Sequence, residues 1–73
     1  MTDQPLRIAL IGFGEAGGII GQDLAVQGLH VSAYDRLGEP LRAKAIAAGV
    51  TLCTTAAEAV TGAHLIFSAV TAG

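Results

Sequence analysis

Five of the chain's ten glycines fall between positions 12 and 21, and three of them carry a chemistry. Gly12-Phe13-Gly14-Glu15-Ala16-Gly17 reads G-x-G-x-x-G, and each glycine meets a separate steric demand of phosphate binding. Gly12 lets the chain leave a strand sharply. Gly14 removes a Cβ that would hold a pyrophosphate off the backbone, and Gly17 lets the following helix lie close against a sheet. Phe13, Glu15 and Ala16 complete the turn, and Gly21, one helical turn on, extends the close approach. The helix N-terminus then offers unpaired N–H groups and about half a positive charge to an anion. Asp35 lies 18 residues beyond Gly17, close to the ~20 at which an acid accepts hydrogen bonds from the adenosine ribose of a dinucleotide. A glycine triple alone is a weak signal. An apolar strand before it, an amphipathic helix after it and an acid at the next strand's end strengthen it.

Asp35 also bears on which dinucleotide is taken. A carboxylate satisfies a ribose 2′-hydroxyl and repels a 2′-phosphate, which favours NAD and leaves NADP as the alternative. Arg36 is compatible with a 2′-phosphate contact, with stacking on adenine, or with a solvated loop. The Glu15 side chain is expected to point to solvent, gaining from the helix dipole. Val70 and Thr71, at the end of the last strand, are candidates for the nicotinamide side. Phe13 is placed to brush the cofactor.

The elements that must position these residues alternate. Residues 6–11 form an apolar run suited to a strand buried on both faces. From about Ala16 to Gln27, residues Gly17, Ile20, Gly21, Leu24 and Ala25 recur at helical spacing, with Ile19 and Val26 off that stripe. Strands are expected at 30–34, 50–53 and 64–70, a second helix from Pro40 to Gly49, and a third opened by the capping box Thr55-x-x-Glu58 and closed at Gly62. Tyr34 and Phe67 are expected in the core, and Cys53 is expected as a small buried residue. The order β-α-β-α-β-α-β predicts an α/β, Rossmann-type parallel sheet of strand order 3-2-1-4, the first part of a doubly wound domain. His30 and His64 begin their strands, at the edge opposite the ligand, and are expected as surface or capping residues. Ser68 has no base nearby for a nucleophilic role.

Composition narrows the function. Four basic residues (Arg7, Arg36, Arg42, Lys44) against six acidic ones give a net charge of -2, without the basic clustering that nucleic-acid binding needs. No apolar run reaches the ~18 residues of a membrane span, and the first residues do not resemble a signal peptide. One cysteine excludes an intramolecular disulfide framework and fits a reducing compartment, so a cytoplasmic location is expected. With 52% hydrophobic and 14% charged residues, the chain is more apolar than a free-standing small domain. It is expected to be the N-terminal part of a larger dinucleotide-binding domain, with the catalytic part elsewhere.

The run from Ile8 to Gly17, Asp35 and the closing Ser68-Ala-Val-Thr resemble the N-terminal cofactor domain of the 6-phosphogluconate dehydrogenase-like, or β-hydroxyacid dehydrogenase, family. The resemblance covers nearly the whole chain, with the glycine turn and its acid the diagnostic parts. Ala16 stands where the family usually has Met, and Val70-Thr71 where it commonly has Leu-Pro, departures that point to an outlying branch. The resemblance implies hydride transfer between a nicotinamide and a small hydroxyacid, in a full-length protein that is a homo-oligomer. The family's catalytic Lys, its Asn partner and its Ser-Gly-Gly loop lie further along the chain. Lys44, the single lysine, sits in the second helix on the wrong side of that pattern. Three alternatives stay open: a ketopantoate or pyrroline-carboxylate type of reductase, a non-catalytic NAD(H)-sensing module, and, less well matched, a methyltransferase.

Overall fold

The computed structural model describes residues 6–68, apart from the side chains at 15 and 16. Strand β1 (Arg7–Ile11) leads into helix α1 (Glu15–Val26) and strand β2 (His30–Tyr34). A 3-10 turn at Glu39–Leu41 precedes helix α2 (Arg42–Ala48), and strand β3 (Thr51–Leu52), helix α3 (Ala56–Val60) and strand β4 (Leu65–Ser68) follow. The four strands form one parallel sheet in the order β3-β2-β1-β4, as expected of a doubly wound domain.

Local chemistry sets most boundaries. Gly49 caps α2 in the left-handed region at φ 77°, a conformation that side chains resist. Thr55 caps α3 by accepting a bond from Glu58 N at 3.0 Å, while Glu58 Oε1 accepts from Thr54 N at 3.1 Å. The box therefore closes one residue earlier than its usual form, in which the acid reaches the capping residue's own N–H. Helix α2 starts at Arg42 rather than Pro40: the proline lies in the 3-10 turn ahead of it. Strand β3 is two residues long, although Cys53 N still donates to Ala33 O at 2.7 Å and continues the ladder.

Strand alternation divides the core into two layers. Ile8, Leu10, Val31 and Ala33 join Phe13, Ala45, Val50 and Leu52 in the main cluster, with Leu24, Ala25 and Ala48 from α1 and α2 packed against it. Ala9 and Ala59 are buried outside that cluster, where α3 packs on β1 and β2.

Three expectations about the core need correction. Phe67 is 45% exposed because, among the described residues, β4 packs mainly against β1 and no helix lies closely over its faces, so every described residue of β4 is exposed. Tyr34 is half-buried at the carboxyl end of β2 rather than part of the core. Ile20 is 39% exposed, so the sheet-facing stripe of α1 runs through Gly17, Gly21, Leu24 and Ala25. Ile19 and Val26 are exposed, as their phase on the helix predicts.

Candidate functional site

Parallel register brings the carboxyl ends of three strands to one edge: Ile11 pairs with Tyr34 of β2 and with Ser68 of β4. The sheet order turns back at β1, and ligands of open α/β sheets bind in the crevice at such a reversal. The glycine turn leaves the sheet there. Gly12 has φ 102°, which suits glycine alone, and its N–H reaches Tyr34 O at 2.7 Å. The chain then dips inward before α1 begins. Phe13 is fully buried and anchors the turn in the core, so the expectation that its ring brushes a cofactor is corrected.

Gly14 is the N-cap of α1 and supplies no side-chain capping bond. Gly18 N bonds Gly14 O at 2.8 Å, so the N–H groups of Glu15, Ala16 and Gly17 have no acceptor within the helix. Helix α3 fills the equivalent need with the Thr55 hydroxyl, whereas the N-cap of α1 provides no side-chain acceptor. A Cβ built on Gly14 would meet nothing within 4 Å. The glycine therefore faces open space that a side chain would fill, and this cradle fits a pyrophosphate. Gly17 is buried in the first turn of α1. The side chains of Glu15 and Ala16 lie outside the described structure, as do Val70 and Thr71 entirely.

Asp35 stands beside the turn. Its Oδ2 accepts from Phe13 N at 2.7 Å and its Oδ1 from Leu37 N at 2.9 Å. The carboxylate thus ties the glycine turn to the loop after β2. Sequence spacing placed the acid near the turn, but not this bond across two strands. A cleft of about 210 Å³ opens at the ends of β2 and β3, with Asp35, Arg36, Arg42 and Cys53 among its lining. Arg36 is exposed. Arg42 is engaged by Glu39 at 2.9 Å; the hydrogen bond and charge of that guanidinium hold the Glu39 carboxyl below its ordinary range.

Lys44 is the residue that sequence reasoning missed. It reaches across from α2 to place Nζ 3.1 Å from Gly14 O and 5.7 Å from the centre of the Phe13 ring. The available signal was Gly18, a glycine that the G-x-G-x-x-G pattern does not require. A Cβ there would lie 2.6 Å from Lys44 Cε.

The remaining candidates stay peripheral. His30 is exposed, and His64 Nδ1 accepts from Arg7 N at 2.9 Å, a structural bond at the amino edge of the sheet. Ser68 is exposed at the carboxyl edge. Cys53 is a buried free thiol, pushed above the ordinary thiol range by burial and, secondarily, by the Glu58 carboxylate. Among the described residues no cluster of three potential metal ligands occurs, and no helix is long and apolar enough to cross a membrane.

Residues 7–73 match the family described as the NAD binding domain of 6-phosphogluconate dehydrogenase. The fold is similar to Mycobacterium tuberculosis 3-hydroxyisobutyrate dehydrogenase, in a structure with L-serine, at 27% identity and a TM-score of 0.82 over 92% of this chain and 23% of that one. It is also similar to an imine reductase from Pseudomonas sp., at 25% identity and a TM-score of 0.76, over 89% of this chain and 22% of the reductase. The chain thus spans less than a quarter of either protein. No curated protein matches it.

Proposed function

Because the chain belongs to the family of NAD binding domains of 6-phosphogluconate dehydrogenase, we propose that it is the cofactor-binding part of an NAD-preferring oxidoreductase acting on a small hydroxyacid. The observation that carries this reading is the bare first turn of α1, open at Gly14, beside an acid at the end of β2. The N–H groups of Glu15, Ala16 and Gly17 hold the pyrophosphate, Gly12 and Phe13 shape the turn, and Asp35 accepts from the adenosine ribose. Arg36 borders the adenosine end, and Val70 and Thr71 the nicotinamide end. When bound, the nicotinamide supplies the hydride donor or acceptor. This chain's residues bind and orient it, and the groups that move protons on the substrate come from elsewhere in the full-length protein. The proposal extends to a homo-oligomeric enzyme and to a cytoplasmic location, the latter in keeping with the free thiol at Cys53.

Side-by-side fluorescence titration of the full-length protein with NADH and NADPH tests the cofactor reading. Wild type is expected to prefer NADH. Asp35→Ala is expected to weaken NADH by at least about tenfold, from loss of acceptor bonds to a charged group, and to raise the affinity for NADPH relative to NADH. Equal loss of both cofactors would reduce Asp35 to a structural role. Reduction of a C=N bond is a second reading, favoured by the similarity to the Pseudomonas imine reductase. Assaying short hydroxyacids with NAD against cyclic imines with NADH and NADPH separates the two.

A further inference from the structure

Lys44 has no place in the glycine pattern, yet the fold carries it 30 residues along the chain to the middle glycine of that pattern. Lys44 is itself exposed, and two observations distinguish its arrangement from a stray surface contact. The first is the lane in which the side chain lies. Gly18 is buried in α1, and a Cβ there would come within 2.6 Å of Lys44 Cε and 2.9 Å of Nζ. A glycine is a poor helix residue, and here it keeps open the path that the lysine stem follows. The second is the end point: Nζ rests 3.1 Å from Gly14 O and over the face of the buried Phe13 ring.

Gly14 C=O and Glu15 N–H belong to one planar peptide. The carbonyl takes the ammonium, and the N–H is the first donor of α1 without an acceptor in the helix. A cation on the carbonyl polarises that peptide and strengthens its N–H as a donor. An ammonium also carries three donors on a flexible stem, and only one of them is needed for Gly14 O.

We propose that Lys44 is a positioning cation of the cofactor site, holding its ammonium at the Gly14 peptide so that the cradle binds the negatively charged pyrophosphate of a dinucleotide more tightly. This rests on the reading of the glycine turn as a dinucleotide site. It adds to that reading a residue from α2, and it accounts for a glycine at position 18. The contribution is to the phosphates common to NAD and NADP, so Lys44 does not choose between them.

The test compares wild type, Lys44→Ala and Lys44→Arg in the full-length protein, by calorimetric titration with ADP-ribose, which carries the pyrophosphate, and with adenosine, which does not. At low salt Lys44→Ala is expected to weaken ADP-ribose by about 3- to 10-fold, the size of one partly screened charge interaction. That gap closes at high salt. Adenosine affinity stays within about 2-fold, a difference too small to count as a lost charge interaction, and Lys44→Arg recovers most of the loss. NADH and NADPH lose affinity in parallel. The proposal is overturned if ADP-ribose affinity is unchanged in Lys44→Ala, if adenosine falls as much as ADP-ribose, or if NADPH alone is affected. Failure of the wild type to bind either NADH or ADP-ribose would instead overturn the dinucleotide site itself. Circular dichroism of each variant confirms that α2 remains folded.

Discussion

Replacing Gly14 by Val separates binding from folding. A Cβ at this position meets nothing within 4 Å, and the backbone there is extended, at φ -72° and ψ -152°. The folding cost is confined to the N-cap, where Val is a poorer residue than Gly, and amounts to about 1 kcal/mol. The melting temperature should fall by only a few degrees. The ligand side is different. The isopropyl group fills the space through which phosphoryl oxygens approach the N–H groups of the first turn. Hydrogen bonds to a charged acceptor contribute about 1.5–3 kcal/mol each, so losing two removes about 3–6 kcal/mol, at least 100-fold in affinity. NADH fluorescence titration of the full-length variant, paired with far-UV circular dichroism and a melting curve, reads both quantities. Affinity within about 3-fold of wild type would refute the pyrophosphate cradle, since less than 1 kcal/mol would then be lost. Collapse of the helical signal would refute the claim that Gly14 serves the ligand rather than the fold.

Two other glycines of α1 should respond differently, only one of them losing stability. A Cβ on Gly21 meets Val50 Cγ2 at 3.0 Å, Leu10 Cδ1 at 3.1 Å and Phe13 Cε1 at 3.3 Å. Overpacking of about 1–3 kcal/mol outweighs a helix-propensity gain of about 1 kcal/mol, so Gly21→Ala destabilises. Gly18→Ala meets only the flexible Lys44 stem and should be neutral or stabilising by up to about 1 kcal/mol; urea unfolding that gives both variants the same sign would contradict this packing. Thr55→Ala removes the hydroxyl that accepts from Glu58 N and should cost about 1 kcal/mol, read as a lower urea midpoint at unchanged slope. Cys53 should react slowly with a thiol reagent near neutral pH and rapidly in denaturant, because burial raises its thiol above the ordinary range. Its contribution to stability is complete below the unfolded thiol's pKa and is lost as pH rises through the higher folded one. Equal reaction rates in native and denatured protein would show the thiol to be exposed.

The parts of the fold that were legible in the sequence are those fixed by local chemistry. Thr55 and Glu58 announce a helix start because their side chains complete backbone donors a few residues away. Gly28, Gly49 and Gly62 mark helix stops for similarly local reasons. Alternation of apolar runs with helical periods yields a parallel sheet with right-handed crossovers, and the glycine turn after the first strand selects the 3-2-1-4 order of the dinucleotide-binding half over other doubly wound orders. Phe13 departs from the expectation because a residue within a G-x-G-x-x-G turn has the sequence position of a ligand contact, whereas the reversal at Gly12 sends its ring inward. Phe67 departs from the expectation because alternation separates the two faces of a strand without specifying whether anything covers them. Lys44 was invisible because its reach depends on how closely α1 and α2 pack, a tertiary distance that Gly18 makes possible but does not by itself disclose.

One bond has consequences for redesign. Asp35 grips Phe13 N and Leu37 N with separate oxygens, so the residue that would discriminate between the two dinucleotides is also the clasp between neighbouring loops. Swapping it for a small or basic residue to admit a 2′-phosphate would unfasten the turn in the same stroke. A successful conversion would have to restore both acceptors by other means, for instance by rebuilding the stretch from Arg36 to Glu39 together with position 35. If Asp35 selects the cofactor as proposed, selectivity and rigidity share one side chain, and a single substitution would change both together.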